Sequence, residues 1–213
     1  MEKIFEAKSV KECLNEACKA LNVSEEELDY EVLQEPTHGF LGIGAKNAVI
    51  KIKFNDKYNV NTVKEFLLKL LSFYKINAKV TVEVIRPMVV YAAKISGKDS
   101  LAELIGKHGH TLNAIEHLVS VYVNKHNDHH ISISVDVNDY KKRKEEMIRK
   151  MAESVALKVR NGTKKVSLKP MSARERKVVH EVLSKYEDIR SYSVGVEPYR
   201  HVVVEKVMIR VKS

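Results

Sequence analysis

Apolar residues along the chain alternate between helical and strand spacing. KIFEAK opens as a short strand, and Val10, Cys13, Leu14, Ala17 and Leu21 then recur three and four apart, as on one face of an α-helix. Ser9 and Glu12 form an S-x-x-E pair, the signature of a capping box at that helix's start. Ser24 and Glu27 repeat the pair before a short helical turn. LDYEVLQEP reads as a strand, GFLGIGAKN as a turn and AVIKIKF as a closing strand. Residues 1–53 therefore predict a β-α-β-β unit, small enough to be marginal alone.

FNDKYN, residues 54–59, is polar and reads as the first boundary. Beyond it Val63, Phe66, Leu67, Leu70 and Leu71 mark a helix. KVTVEVIR and MVVYAAKIS are rich in β-branched residues and parted by Pro87, which predicts a hairpin. Asp99 is placed to cap a helix over SLAELI, and Leu112, Ile115, Leu118, Val119 and Tyr122 predict a longer helix after GKHG. HHISISVDV alternates as a strand, so residues 60–137 read α-β-β-α-α-β. From a second boundary near Asn138, Asp139 is placed to cap a long helix with Ile148, Met151, Val155 and Val159 inward, stopped by Asn161-Gly162. KKVSL predicts a strand and SARERKVVHEVLSKY a helix, with Ser172 and Glu175 as its capping box. IRSYSVGV and RHVVVEKVMIRV predict two further strands. The expected class is α+β: three small α/β-sandwich-type domains in tandem, at 1–53, 60–137 and 138–213.

Charge changes the picture only when it is divided. The net charge of +9 is distributed as −3 over residues 1–53, +2 over 54–137 and +10 over 138–213. A basic module joined to near-neutral ones points to a polyanionic partner, of which nucleic acid is the commonest. No apolar run nears the roughly 20 residues needed to cross a bilayer, and MEKIFEAKSV lacks a signal-peptide layout, so the expected address is the cytoplasm. Cys13 and Cys18 lie on different sides of one helix. Cys13 is expected in the core, with no disulfide or metal site.

The candidate chemistry begins at Gly106-Lys107-His108-Gly109, set between two helical patterns. Glycines let a phosphodiester come close to the main chain, and the amides of a helix N-terminus favour phosphate. Lys107 adds a mobile cation and His108 a donor. The alternative is a plain helix–helix turn. With Leu104-Ile105 before it and α-β-β-α-α-β around it, the stretch resembles a type II KH domain over roughly residues 60–137. The resemblance implies a clamp on about four nucleotides of single-stranded RNA or DNA, with Ile105, Leu104 and Leu112 beside it.

In the basic third, Arg176 and His180 stand four apart on one helical face, flanked by Arg174 and Lys177. SLKPMSARERKVVH followed by SYSVGVEPYRHVVV resembles the small single-strand-binding domain named for an arginine and a histidine separated by three residues. Gly195, Glu197, Pro198 and Arg200 match its downstream G-x-E-P-x-R pattern. Arg176 suits a forked contact to phosphate, and His180 a phosphate or a stacked base. The residues equally allow Arg176 and Arg200 to pair with Glu175 or Glu197, and His180 to be a satisfied core histidine.

The whole order resembles the bacterial Jag (KhpB) family. Gly39-Phe40-Leu41-Gly42 matches that family's Lys-Lys-Gly-Phe-Leu-Gly turn, with Thr37-His38 in place of the two lysines. The resemblance implies a cytoplasmic RNA-binding protein linked to cell elongation and division. It also implies a small single-KH partner of the KhpA type, or self-association, and work near membrane proteins. An adapter role using the apolar surface of residues 110–123 is the alternative. Enzymatic action is not expected: His126, His129 and His130 lie in a polar loop, and no carboxylate pair or nucleophile–base arrangement is evident. No cofactor is expected.

Overall fold

The computed structural model describes residues 3–37, 45–98, 101–125, 127 and 129–207. The Gly39–Gly42 turn, His38, Asp99 and His126 lie outside them. The chain forms two compact units, residues 1–138 and 139–213, each with mixed helices and three-stranded sheets.

The first unit opens with β1 (Lys3–Ala7) and α1 (Val10–Leu21). Ser9 caps α1 by accepting from the Glu12 amide at 3.2 Å. Ser24 and Glu27 bracket a 3-10 turn, with the Ser24 amide donating to Glu27 Oε2 at 2.9 Å. β2 (Leu28–Gln34) and β3 (Ala48–Phe54) complete an antiparallel sheet ordered β1-β3-β2. Cys13, Leu14 and Ala17 of α1 pack on Ala48, Ile50 and Ile52 of the central strand. Cys13 is fully buried, its thiol donating to the Ala48 carbonyl, and burial raises its pKa.

The polar stretch 54–59 is not a linker. β3 runs to Phe54, and α2 (Asp56–Phe73) starts two residues later. Asn55 makes this abrupt change possible: its Oδ1 accepts from the Lys57 and Tyr58 amides at 2.9 and 3.2 Å, and its Nδ2 donates to the Glu26 carbonyl at 3.0 Å. Asn61 Nδ2 reaches Glu27 Oε1 at 2.8 Å, and the Phe54 and Tyr58 rings stack at 3.7 Å. The polar run is thus a helix cap rather than a tether.

β4 (Lys79–Ile85) and β5 (Val90–Ser96) form the expected hairpin. The expected helix over SLAELI is only one turn, α3 (Ala102–Ile105). α4 (His110–Asn124) follows, burying Leu112, Ile115, Val119 and Val123. β6 (Ser132–Val137) pairs parallel to β5, giving the sheet order β4-β5-β6. Because β5 and β6 are parallel, α4 must return the chain across the sheet. The turn 106–109 therefore sits at the end of the sheet where β5 finishes.

In the second unit α5 (Tyr140–Arg160) buries Ala152, Val155, Ala156 and Val159. Asp139 does not cap it. It sits at φ +54 with no side-chain cap bond, while Gly162, at φ +116, follows the helix's other end. β7 (Lys165–Ser167), α6 (Ala173–Leu183), β8 (Ile189–Val194) and β9 (His201–Lys206) follow. The antiparallel sheet, ordered β7-β9-β8, shares a core with both helices through Val179, Val182, Leu183, Val202 and Val204.

Candidate nucleic-acid interface

In the first unit Gly106-Lys107-His108-Gly109 forms a 3-10 turn between α3 and α4. Gly106 (φ 68, ψ 179) occupies a region essentially reserved for glycine, and Gly109 is left-handed at φ 83. His108 is also left-handed, at φ 56, an uncommon conformation for a residue with a side chain. Lys107 and His108 are exposed at the tip, Gly106 and Ile105 are half-buried, and Gly109 and Leu104 are buried.

The reason for Gly106 differs from the sequence expectation. A Cβ built there would stand 2.1 Å from Thr111 Oγ1 and 2.8 Å from Thr111 Cβ. The space is filled by the protein's own threonine, not left open for a ligand. The glycine amides are also engaged: Gly106 donates to the Ala102 carbonyl at 2.8 Å, and Gly109 to the Gly106 carbonyl at 3.2 Å. What the turn offers outward is the pair of side chains on Lys107 and His108, carried on a backbone that has few alternatives. Thr111 gave no sequence signal, since its role depends on how the turn folds back.

In the second unit Arg176 and His180 do lie on one side of α6, but both face their own unit. Arg176 is 8% exposed, and its Nη1 donates to the Met171 carbonyl at 2.7 Å and to Glu197 Oε1 at 2.8 Å. His180 has Nδ1 2.8 Å from Ser191 Oγ and Nε2 2.9 Å from Ser193 Oγ, both on β8. Burial, and secondarily the Arg176 charge, lower its pKa, so the ring is neutral at pH 7. Ser172 and Glu175 close a capping box at the start of α6. Burial pushes the Glu175 carboxyl up, but hydrogen bonds from Lys144 and from the Ser172 amide outweigh it and leave it below its usual value.

Exposed cations of this region include Arg174 and Lys177 on α6 and Arg200 in the turn between β8 and β9. The Arg200 carbonyl accepts from the Met171 amide at 3.2 Å, which fixes the backbone beneath that side chain. By helical spacing Lys177 lies one step from Arg176 toward solvent, and Arg174 farther round. The sequence did not single out Ser191 and Ser193, which hold His180. Their signal is faint: two small polar residues alternating on a strand.

Among the described residues no group of three His, Cys, Asp or Glu is placed to hold a metal ion, and no helix is long and apolar enough to cross a membrane. Among the clefts of the first unit are two of about 440 and 460 Å³. One is lined by Leu21, Phe66, Phe73 and Tyr122, the other by Phe54, Tyr91, Asn127 and His130.

Three family models match the chain in succession. They are the Jag N-terminus over residues 5–54, the KhpA/KhpB KH domain over 61–137, and the Arg-x-x-x-His domain over 146–206. The fold is accordingly that of a protein joining a KH domain to an Arg-x-x-x-His domain, with a Jag-type amino-terminal module. The chain is 32% identical over 198 residues to the RNA-binding protein KhpB of Clostridium symbiosum, covering 93% of this chain and 88% of that one. It is 31% identical over 201 residues to its counterpart in Bacillus subtilis (strain 168), covering 92% and 94%. The Lactiplantibacillus plantarum protein is 42% identical over 101 residues, 47% of this chain and 31% of that one. The chain belongs to the KhpB family.

Proposed function

We propose that this protein binds single-stranded RNA without acting on it chemically, as a cytoplasmic post-transcriptional regulator tied to cell elongation, division and envelope growth. Its relatives of nearly full length are named as RNA-binding proteins. The observation that carries the reading is the 106–109 turn, which holds Lys107 and His108 outward at the start of α4. Labour divides among modules at 1–53, 60–137 and 138–213. The KH turn holds a short stretch of backbone, Ile105 borders it, and Arg174, Lys177 and Arg200 supply a second set of phosphate contacts. Arg176 and His180 support that second set from beneath, Arg176 by fixing the 195–200 turn.

Phosphate contacts release counterions, so affinity should fall steeply with salt. Neutralising about four to seven phosphates gives a slope of log K on log salt of roughly −3 to −5. Replacing Lys107 and His108 together by Asp should weaken binding of a short oligonucleotide while leaving the thermal melt in place. Unchanged affinity would remove the KH turn from the account.

A second reading has its own observation. Leu118, Val121 and Tyr122 of α4 are 54%, 58% and 44% exposed, an apolar stripe on the side away from the core. Such a stripe suits pairing with a single-KH protein of the KhpA type, or with a second copy, in an adapter near membrane proteins. Mass measurement in solution with and without RNA separates constitutive pairing from assembly bridged by RNA.

A further inference from the structure

The turn joining β8 to β9 presents an aromatic ring that no sequence motif singled out. Tyr199 is 72% exposed and Val196 77% exposed, three residues apart in the Gly195–Arg200 turn. Scattered exposed apolar residues are ordinary on a protein surface. Here the backbone beneath them is held at many points. The Tyr199 amide donates to the Val196 carbonyl at 2.9 Å, and the Tyr199 carbonyl lies 3.1 Å from His201 Nδ1. Gly195 takes φ +89, and Val194 pairs with His201 across the strands. Arg176 of α6 grips Glu197, and the Met171 amide, just before the α6 cap, donates to the Arg200 carbonyl. On so fixed a turn the backbone has little freedom left to lose on contact, and a tyrosine side chain has only two torsions to order.

The charges around the ring are the right sign for a nucleic acid. Arg200 is exposed next to Tyr199, and Lys177 is exposed one step from Arg176 on α6. The one acid in the turn, Glu197, is already matched by Arg176 at 2.8 Å. Its carboxylate is thereby offset where a phosphate would otherwise be repelled. We propose that Tyr199 is a stacking platform for an unpaired RNA base, with Val196 in the same turn and Arg200 and Lys177 on the flanking phosphates. This rests on the RNA-binding reading above and adds a contact of a different kind. The cations follow the backbone, whereas the ring requires a base. Stacking tolerates every base, so the platform adds affinity with little sequence choice.

The chain contains no tryptophan, so Tyr199→Trp introduces a single indole emitter. Full-length Tyr199→Trp protein is titrated with a single-stranded uridine 12-mer and with an abasic sugar-phosphate 12-mer. Quenching by the first and not by the second is the expected result. Tyr199→Ala should lose about 5- to 100-fold in affinity for the uridine strand with the salt slope unchanged, and Tyr199→Phe should restore the larger part. Arg200→Ala should instead lower the slope by about one. Wild-type affinity in Tyr199→Ala, or indole emission unchanged at saturating RNA, overturns the platform while RNA binding stands. Absence of RNA binding by the wild-type protein overturns both readings before any variant is made.

Discussion

Gly106 and His180 carry the most testable chemistry at single positions. Gly106→Ala would force a Cβ into Thr111 and hold an L-residue at φ +68, costing roughly 2 kcal/mol or more. Adding Thr111→Gly should relieve only the clash, so the double variant should recover part of the loss in a denaturant melt. For His180 the native pKa lies below its ordinary value of about 6.5. A depressed histidine adds stability above its unfolded pKa and loses it as pH falls through the native one. The second unit should therefore weaken as pH drops below about 6.5. His180→Gln, which keeps hydrogen-bonding groups near Ser191 and Ser193 but does not titrate, should flatten that part of the profile. Measuring melting temperature against pH checks it.

Between elements, the junctions matter more than the elements themselves. Arg176 ties α6 to the β8–β9 turn, so Arg176→Ala should cost about 1–3 kcal/mol by stranding the Met171 carbonyl and freeing Glu197. Arg200→Ala, at an exposed position, should change stability by no more than about 0.5 kcal/mol while weakening RNA binding. Comparing melts and affinities of the two variants separates support from contact. Hydrophobic periodicity revealed the long helices and strands because burial on one face writes itself into the spacing of Leu112, Ile115 and Val119, or of Val155 and Val159. It misplaced the start of α2 because a helix whose first turn is Asp56, Lys57, Tyr58 and Asn59 shows no apolar period there. The start is set by the Asn55 cap. The GKHG and R-x-x-x-H signatures were visible as strings. Glu197 stood in the downstream pattern as one of two possible partners for Arg176, and only the fold chooses it over Glu175. Thr111 is close in sequence but meets Gly106 only because the turn folds back, and Ser191 and Ser193 reach His180 from a separate strand.

Across the whole chain the uneven charge sets the expected behaviour. Residues 138–213 carry 20 basic and 10 acidic side chains, and residues 1–53 carry 7 and 10. If the 106–109 turn and the C-terminal cations hold one strand together, the second contact is intramolecular and gains from effective concentration. Lengthening an oligonucleotide from about four nucleotides, the span of one KH clamp, to one long enough to bridge both sites should tighten binding by about 100-fold or more. Titrations of a length series read this directly, and a smooth gain of one small factor per nucleotide would speak for a single site. The seam at Asn55 has a practical consequence for dissecting such effects. A piece of this protein beginning at residue 56 forfeits the cap, the Phe54 ring beneath Tyr58 and the Glu26 carbonyl in one cut. An excised KH module would start life frayed, and its poor behaviour would be an artefact of the scissors; severing after Asn138 avoids that injury.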